Sequence, residues 1–324
     1  MCKSNVPFLP LSEFILTRKK KIANFCFISN IILIIEHILC KYKKIKISQN
    51  FLFVIELLYM DLIQREKFYI TRLAEIDSTN SYAKANLADI ADRTVVCADK
   101  QTAGHGRFDR AWVDLGSGNI FMSLVLKPSN DFKAVYANLT QYFSVILCEI
   151  LEEYGLKPQI KWPNDVLVDG KKIAGILSET VIHGQYFKGL VLGAGINLNA
   201  NSEDLAQIKD KEVTALNLEL EDSPSTVTSC HLLPRRGEGI IVDKSEFLDK
   251  LLNSFFENYD EFLNKGFALI KDSYIERACF LNQNIDVKGF KDTVSGFAKS
   301  VNDAGELVLQ QNNKEVTITM GDIL

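Results

Sequence analysis

The sequence predicts an α+β fold that ends in a small β-barrel. Between Lys67 and about residue 280, strand patterns are interspersed with helical patterns. Beyond that point the helical periodicity stops, and short alternating strands follow one another with turns between them. These predicted strands are Asn284–Phe290, Thr293–Val301, Glu306–Gln310 and Val316–Met320. Such a run of short strands indicates a small barrel.

The first predicted elements are a strand over Lys67–Ile76 and a helix over Ser81–Ile90. Between them, Ser78 and Thr79 carry the hydroxyl groups that cap helix N-termini, a role that contributes about 1 kcal/mol. A helix N-terminus also has free N–H groups that can donate to a ligand. Capping and ligand binding are compatible at this position.

A loop rich in glycine and arginine joins the next two predicted strands, Thr94–Asp99 and Asn119–Leu126. Glycine allows a ligand to approach the backbone closely. Arg107 and Arg110 offer planar sets of donors for a carboxylate or phosphate, and Trp112 can stack on a ring. This composition favours a flexible lid over an anionic, partly aromatic ligand. The alternative is an irregular surface loop with solvated charges.

Periodicity and turn signals predict the remaining elements of the central region. They are a helix near Asp131–Tyr154, a short strand before Lys161, a hairpin of Val166–Val168 and Ile173–Glu179 around Asp169-Gly170, a strand over Gln185–Asn197 and a helix over Asp243–Lys265. Cys148 falls on the first of these helices and is interpreted as a core residue rather than a nucleophile.

Length and composition limit the possible classes of protein. The 324 residues allow two or three domains, and 47% hydrophobic with 24% charged residues is ordinary for a globular chain. The net charge of −4 argues against a general nucleic-acid binder. The seven cysteines are scattered without a Cys-x-x-Cys pair. Free thiols in a reducing cytoplasm are therefore expected, rather than a zinc site or a disulfide framework.

The first 59 residues differ from the rest in being rich in Ile, Leu, Phe and Lys. A basic cluster, Arg18–Lys21, precedes the mostly apolar Ile22–Ile35. This segment could be a signal peptide, a membrane anchor or no functional element. The apolar run is short of the ~20 residues that span a bilayer, and we favour the third interpretation, with translation starting at Met60. No pair of amphipathic helices joined by a Gly turn is visible, so no winged-helix DNA-binding domain is predicted.

Three motifs follow one another along the chain. Residues 104–112 have the pattern GHGRxxRxW, residues 161–179 contain KWPND and KIAGILSE, and residues 193–197 read GAGIN. In this order and spacing they resemble the catalytic module of biotin protein ligases, from about Tyr69 to the C-terminus. The resemblance implies a mixed-sheet module like that of class II synthetases, with flanking helices, over residues 60–280. It also implies an SH3-like domain over residues 281–324 and membership of the non-repressor class.

The same resemblance implies roles for individual residues. Ser78, Thr79 and Asn80 would hydrogen-bond the ureido ring of biotin. Arg107 would contact the biotin carboxylate and the adenylate phosphate, and Lys161 would neutralise both anions as they approach each other. Arg110 would support the closed loop, and Trp112 would lie near the adenine. A ring would lie on the strand at Gly175, and Asn197 would contact the adenine edge or the ribose. The other predicted binding residues are Gln101, His105 and Gly106. Asp165 is a candidate Mg²⁺ ligand or orders Lys161.

The loop departs from the family pattern in two places. His105 stands where the family usually has arginine, and Phe108-Asp109 replaces Arg-Gly or a similar pair. Because histidine is mostly neutral at pH 7, the loop has one positive charge fewer, and Asp109 adds a negative one. We expect a less tightly held adenylate or a compensating cation elsewhere.

Residues 222–241 have no periodicity and are predicted to be an inserted surface loop, since extra loop length costs little entropy. Cys230 and His231 lie in it without further metal-ligand residues nearby in the sequence.

The resemblance implies an ATP-dependent biotin–[acetyl-CoA-carboxylase] ligase that forms biotinyl-5′-adenylate. Its acceptor would be one lysine of a biotin carboxyl carrier domain. ATP and Mg²⁺ are expected without a tightly bound metal, in a cytoplasmic monomer or homodimer that has no nucleic-acid or membrane partner. Three alternatives remain open: a lipoate–protein ligase of the same fold, a biotin-sensing transcriptional regulator, and a biotin-binding module whose catalysis is impaired by the altered loop.

Overall fold

The computed structural model describes residues 67–114, 116–129, 131–208, 211–222, 232–234, 240–289, 291–312 and 314–324. All of them belong to one compact unit, Glu66–Leu324. The predictions for residues 1–59, for Cys230 and His231 and for the side chain of Asp109 concern parts of the chain outside this description.

The strands of the central sheet are β1 (Tyr69–Ile76), β2 (Thr94–Gln101), β3 (Ile120–Leu126), β4 (Pro158–Lys161), β5 (Asp165–Val168), β6 (Lys171–His183) and β7 (Tyr186–Ile196). They lie in the order β1-β2-β3-β7-β6-β5-β4. β1 and β2 are parallel, and the other neighbours are antiparallel. The predicted strands and the mixed sheet are therefore confirmed.

The helices are α1 (Thr79–Ala85), α2 (Leu139–Glu153), α3 (Ser202–Leu205), α4 (Leu216–Asp222), α5 (Lys244–Glu257), α6 (Tyr259–Lys265) and α7 (Lys271–Glu276). α1 ends earlier than predicted, and a 3₁₀ turn, Ala134–Asn138, precedes α2. The single helix predicted over Asp243–Lys265 is wrong. It breaks at Asn258, whose backbone (φ −111°, ψ 10°) leaves the helical region, consistent with the weak helix preference of asparagine.

The two faces of the central sheet pack against different helices. Val95 and Cys97 of β2 belong to the large core that contains α2 and α5. Val96, between them, packs with Ala83 and Leu87 on the α1 side. This division follows from the alternation of side chains along a strand, and it fixes α1 on one face of the sheet and the larger helices on the other.

Helix α2 is the core helix of the unit. The stretch Ala134–Glu153 is apolar and long enough to cross a membrane by composition, but 72% of its most apolar window is buried inside the protein. Cys148 on α2 is fully buried, and burial raises the pKa of its thiol above the ordinary range. Its prediction as a core residue is confirmed.

Part of the predicted insert forms a ladder instead of an irregular loop. The backbone of β8 (Leu232–Pro234) pairs antiparallel with β9 (Ile240–Val242). Two short segments of the insert are thereby joined just before α5.

The C-terminal strands are β10 (Asn284–Lys288), β11 (Thr293–Val301), β12 (Leu307–Gln311), β13 (Lys314–Ile318) and β14 (Asp322–Ile323). They form an antiparallel sheet in the order β13-β12-β11-β10-β14. The four predicted strands are confirmed, and β14 adds a fifth. Asn138 and Gln141 donate from their amides to the carbonyls of Ala304 and Gly305 at 2.8 Å. The sheet is thereby tied to the start of α2.

Candidate active site

A cavity of about 560 Å³ is lined by all the predicted site residues except Asn197. This volume falls in the usual range of small-ligand pockets. The predicted residues on its wall are Ser78, Thr79, Asn80, Gln101, His105, Gly106, Arg107, Arg110, Trp112, Lys161, Asp165 and Gly175.

The N-terminus of α1 lies at one wall of this cavity. Ser78 is the N-cap, and its Oγ accepts from the backbone N–H of Ser81 at 3.4 Å. Thr79 does not cap the helix, because its backbone N–H and its hydroxyl donate to Gln101 Oε1 at 2.8 and 3.1 Å. The predicted capping is therefore confirmed for Ser78, whereas Thr79 joins a polar network on the cavity wall.

This network continues through Ser123, a residue that the sequence analysis did not select. Ser123 Oγ lies 2.8 Å from Thr79 Oγ1 and 2.5 Å from Asn80 Oδ1, and Ser123 is fully buried. The only signal in the sequence was one serine inside an otherwise apolar strand. Gly193 makes room for Asn80, because a Cβ at this glycine would lie 2.2 Å from Asn80 Oδ1.

The loop over residues 102–112 folds back on itself. Gly106 donates from its backbone N–H to the carbonyl of Arg110 at 2.7 Å, and Trp112 donates to that of Gly104 at 2.9 Å. Phe108, between them, has a φ of 55°, in the left-handed region that few non-glycine residues adopt.

The indole of Trp112 lies on two glycines of the central sheet. A Cβ would approach the ring to 2.8 Å at Gly175 and to 2.4 Å at Gly195. The ring predicted to lie on Gly175 is thus a side chain of the protein itself. Trp112 Nε1 is buried and has no acceptor among the described residues.

The two loop arginines face Asp322 of β14. Arg107 Nη1 is 3.0 Å from Asp322 Oδ1, and Arg110 Nη1 is 2.8 Å from Oδ2. The Arg107 contact is an ion pair without hydrogen-bond geometry, so that the buried Nη1 donates no hydrogen bond in the described part of the chain. Burial lowers the pKa of Arg107, and the charge of Asp322 opposes this effect. No local pattern in the sequence singled out Asp322.

Lys161 ends β4 just before a cis peptide bond between Trp162 and Pro163. Asn164 fixes the turn, because its amide donates to the carbonyl of Ile176 at 2.7 Å and its backbone N–H donates to that of Lys161 at 3.2 Å. Within the described residues, the Lys161 ammonium forms no hydrogen bond or ion pair, and it lines the cavity.

Two further lysines line the cavity and were not selected from the sequence. Lys172 Nζ is 2.6 Å from Asp165 Oδ1 and 5.3 Å from the centre of the Trp112 ring. Its position in the KIAGIL motif was the available signal. Burial and the nearby Lys172 lower the pKa of Lys211. Among the described residues, no group of three His, Cys, Asp or Glu side chains is placed to hold a metal.

Asn197 lies behind the cavity wall. Its side-chain amide donates to the carbonyl of Thr214 at 3.0 Å, and its backbone N–H donates to that of Ile173 at 2.9 Å. It is buried. These hydrogen bonds hold Asn197 in place, and its predicted contact with an adenine edge or ribose stays a prediction.

The comparisons with known proteins show which family the chain resembles. The model of the biotin/lipoate A/B protein ligase family matches residues 73–197. The biotin–[acetyl-CoA-carboxylase] ligase of Paracoccus denitrificans is 30% identical over 244 residues, which cover 74% of this chain and 92% of that protein. The chain belongs to the biotin/lipoate A/B protein ligase family. The matched segment of the family contains the loop, the KWPND motif and the GAGIN motif.

Other members of the ligase family are similar over less of their length or at lower identity. The bifunctional ligase/repressor BirA of Bacillus subtilis is 30% identical over 231 residues, 71% of this chain but only 65% of that protein. The biotin protein ligase of Aquifex aeolicus, solved with biotin and ATP, superposes with a TM-score of 0.61 at 24% identity and covers 79% of this chain and 97% of that one. This likeness confirms the predicted fold class.

Proposed function

We propose that the protein is an ATP-dependent ligase that attaches biotin to a lysine of a biotin carboxyl carrier domain. The observation that carries this proposal is a set of cations and buried donors that line one cavity. Trp112 Nε1 is buried and lacks an acceptor among the described residues, the Arg107 guanidinium faces the Asp322 carboxylate without a hydrogen bond from Nη1, and the Lys161 ammonium lines the same cavity. Because unpaired buried donors are costly, this arrangement favours a ligand rich in acceptors, such as a phosphate ester.

In the first half-reaction, a carboxylate oxygen of biotin attacks the α-phosphorus of ATP, and pyrophosphate leaves. Two anions must approach each other, so that a fixed cation at that point lowers the barrier. Lys161 and Arg107 have the charge and the position on the wall for this role. In the second half-reaction, the acceptor amine attacks the acyl carbon of biotinyl-5′-adenylate, AMP leaves and an amide forms. Neither step requires a covalent intermediate with the protein, and catalysis rests on positioning and charge neutralisation.

Magnesium would arrive with ATP. Mg²⁺ takes most of its ligands from phosphates and water and few from the protein, which suits a cavity with isolated carboxylates. Asp165 is the predicted ligand, and its carboxylate already pairs with Lys172 at 2.6 Å. We therefore propose that Asp165 mainly positions Lys172, and that contact with Mg²⁺ is its secondary role.

The polar network beside α1 favours biotin over lipoate, the rival substrate within the same family. A cyclic urea has N–H donors and a carbonyl acceptor, and Thr79, Asn80 and Gln101 supply matching amide and hydroxyl groups. A dithiolane ring has no comparable hydrogen-bonding groups. Burying such a polar wall against it would leave donors and acceptors unpaired.

The test is pyrophosphate exchange into ATP by the full chain, with biotin or lipoate as the carboxylate. Exchange that depends on biotin, followed by transfer of label to a carrier domain, is the expected result. Exchange with lipoate alone would identify a lipoate ligase, and biotin binding without exchange would identify a binding module. We also expect a cytoplasmic monomer or homodimer that does not retard DNA in a gel-shift assay, which a transcriptional regulator would do.

A further inference from the structure

Glu179 of β6 connects three residues around the polar network. Its Oε1 accepts from Lys84 Nζ of α1 at 2.6 Å, and its Oε2 accepts from Asn80 Nδ2 at 2.8 Å. His105 Nε2 of the loop lies 3.6 Å from the same Oε2. The Glu179 side chain is 25% exposed. One half-buried carboxylate therefore contacts the helix, the amide on the cavity wall and the loop.

The protonation state of Glu179 determines what it can offer to Asn80. Burial disfavours its ionised form, but the hydrogen bonds from Lys84 and Asn80 outweigh burial and hold the pKa of Glu179 below its usual value. An ionised carboxylate only accepts hydrogen bonds. Asn80 must therefore direct its NH₂ group to Glu179 and its Oδ1 to Ser123, 2.5 Å away.

This restraint matters because the two ends of an asparagine amide have nearly the same shape but opposite hydrogen-bonding character. Nδ2 has a second hydrogen, for which the described residues provide no acceptor, and Asn80 lines the cavity. With the amide held in this orientation, Asn80 presents a donor to a bound ring. Without the carboxylate, the amide is free to rotate and present its oxygen.

We propose, building on the function inferred above, that Glu179 is a positioning residue for recognition of the ring. By fixing the orientation of the Asn80 amide, it selects a ligand with an acceptor at this wall, such as a cyclic urea carbonyl. It discriminates against a ligand that has a donor in the same place. Lys84 supports Glu179 from the far oxygen and has no part in the selection.

The experiment measures the binding of two ligands to the full chain by calorimetry. They are biotin and its cyclic guanidinium analogue, in which an N–H donor replaces the ring carbonyl oxygen. Glu179→Gln keeps the shape of the side chain but gives it a donor. We expect it to weaken biotin binding on the order of ten-fold, the size of a hydrogen bond to a charged group, and to reduce the preference for biotin over the analogue by about as much.

Two other variants separate positioning from general disturbance. Lys84→Met removes the ion pair but leaves the acceptor-only oxygen next to Asn80, so the preference for biotin should remain. Glu315→Gln makes the same chemical change in an exposed pair with Lys299 of the C-terminal sheet and should leave both affinities unchanged. Should Glu179→Gln fail to fold, Glu179→Ala removes the acceptor without adding a donor, and the same loss of preference is expected.

An unchanged preference in the folded Glu179 variants, with normal biotin binding by the parent, would overturn the positioning role and leave the proposed ligase function intact. A parent protein that binds neither ligand would overturn the proposed function itself, and the positioning role with it. A loss of affinity for both ligands by the same factor would reduce Glu179 to a structural residue.

Discussion

Arg110 and Asp322 form an ion pair of 2.8 Å, although they lie far apart in the sequence. The same carboxylate lies 3.0 Å from Arg107. Asp322 belongs to the last strand of the C-terminal sheet and is almost buried. One carboxylate therefore ties the arginine-bearing loop to the end of the chain, and the loop is positioned by a contact that its own sequence does not contain.

Replacing Asp322 with asparagine should loosen the loop. Two arginines would lose their counter-ion in a partly desolvated place, and we expect the free energy of unfolding to fall by about 1–3 kcal/mol, below the value for a fully buried pair because Arg110 is 41% exposed. Trypsin should cleave faster after Arg107 and Arg110. Asp303→Asn is the matched control, since Asp303 pairs with Lys271 at the surface. Equal cleavage rates in the parent and both variants would contradict the role of Asp322 in holding the loop.

Lys161→Ala should lower biotin-dependent pyrophosphate exchange by roughly 10²- to 10³-fold, the usual effect of removing one group that stabilises developing charge. Lys157→Ala, at an exposed position just before the same strand, serves as the control. Steady-state rates at saturating biotin and ATP are the measurement. Full turnover in Lys161→Ala would refute the proposed mechanism.

Gly193→Ala and Gly195→Ala should impair different parts of the site. A methyl group at position 193 meets Asn80 and one at position 195 meets Trp112. The first variant should weaken biotin binding and the second should weaken ATP binding, each on the order of ten-fold or more. The added methyl group displaces the neighbouring side chain, and overpacking of this kind costs about 1–3 kcal/mol. Separate titrations with biotin and ATP measure this, and each variant is the control for the other.

Acid should remove one stabilising contribution that Glu179 makes. Its pKa is lower in the folded chain than its ordinary value of 4.5. A carboxylate whose pKa is lower in the folded than in the unfolded chain stabilises the folded state at pH values above the unfolded-state pKa. This stabilisation is lost as the pH falls through the folded-state pKa. Glu179→Gln should therefore be less stable than the parent near neutral pH, with a difference that shrinks below about pH 4.5. Melting temperatures measured across this range test it, and a constant difference would contradict it.

Lys211 is a candidate for the compensating cation that the altered loop led us to expect. It lines the cavity near Lys172, and its pKa is lowered by burial and by that neighbour. Lys211→Ala should release biotinyl-5′-adenylate on the order of ten-fold faster than the parent, the effect of losing one hydrogen bond to a charged group. His105→Arg should release it more slowly. Equal release from both variants and the parent would leave neither position with a role in retention.

Local sequence patterns predicted much of the fold. The apolar strand patterns of β2 and β3, the Asp169-Gly170 turn and the N-cap at Ser78 all depend on the preferences of a few neighbouring residues. The motifs located most of the cavity wall for the same reason, because each motif is a short segment whose backbone and side chains act together. Such features need no knowledge of the rest of the chain.

Other features depended on residues brought together from distant segments. No local signal in the sequence indicates the parallel pairing of β1 with β2 or the hydrogen bond from Asn197 to Thr214. The same is true of the contacts of Glu179 with Lys84 and His105. The sequence by itself determined most of the elements, the motifs and twelve of the residues that line the cavity. Only the tertiary structure decided which charged side chains form ion pairs with one another. Hydrogen bonds and ion pairs act over a few ångströms of space, and distance along the chain does not limit them.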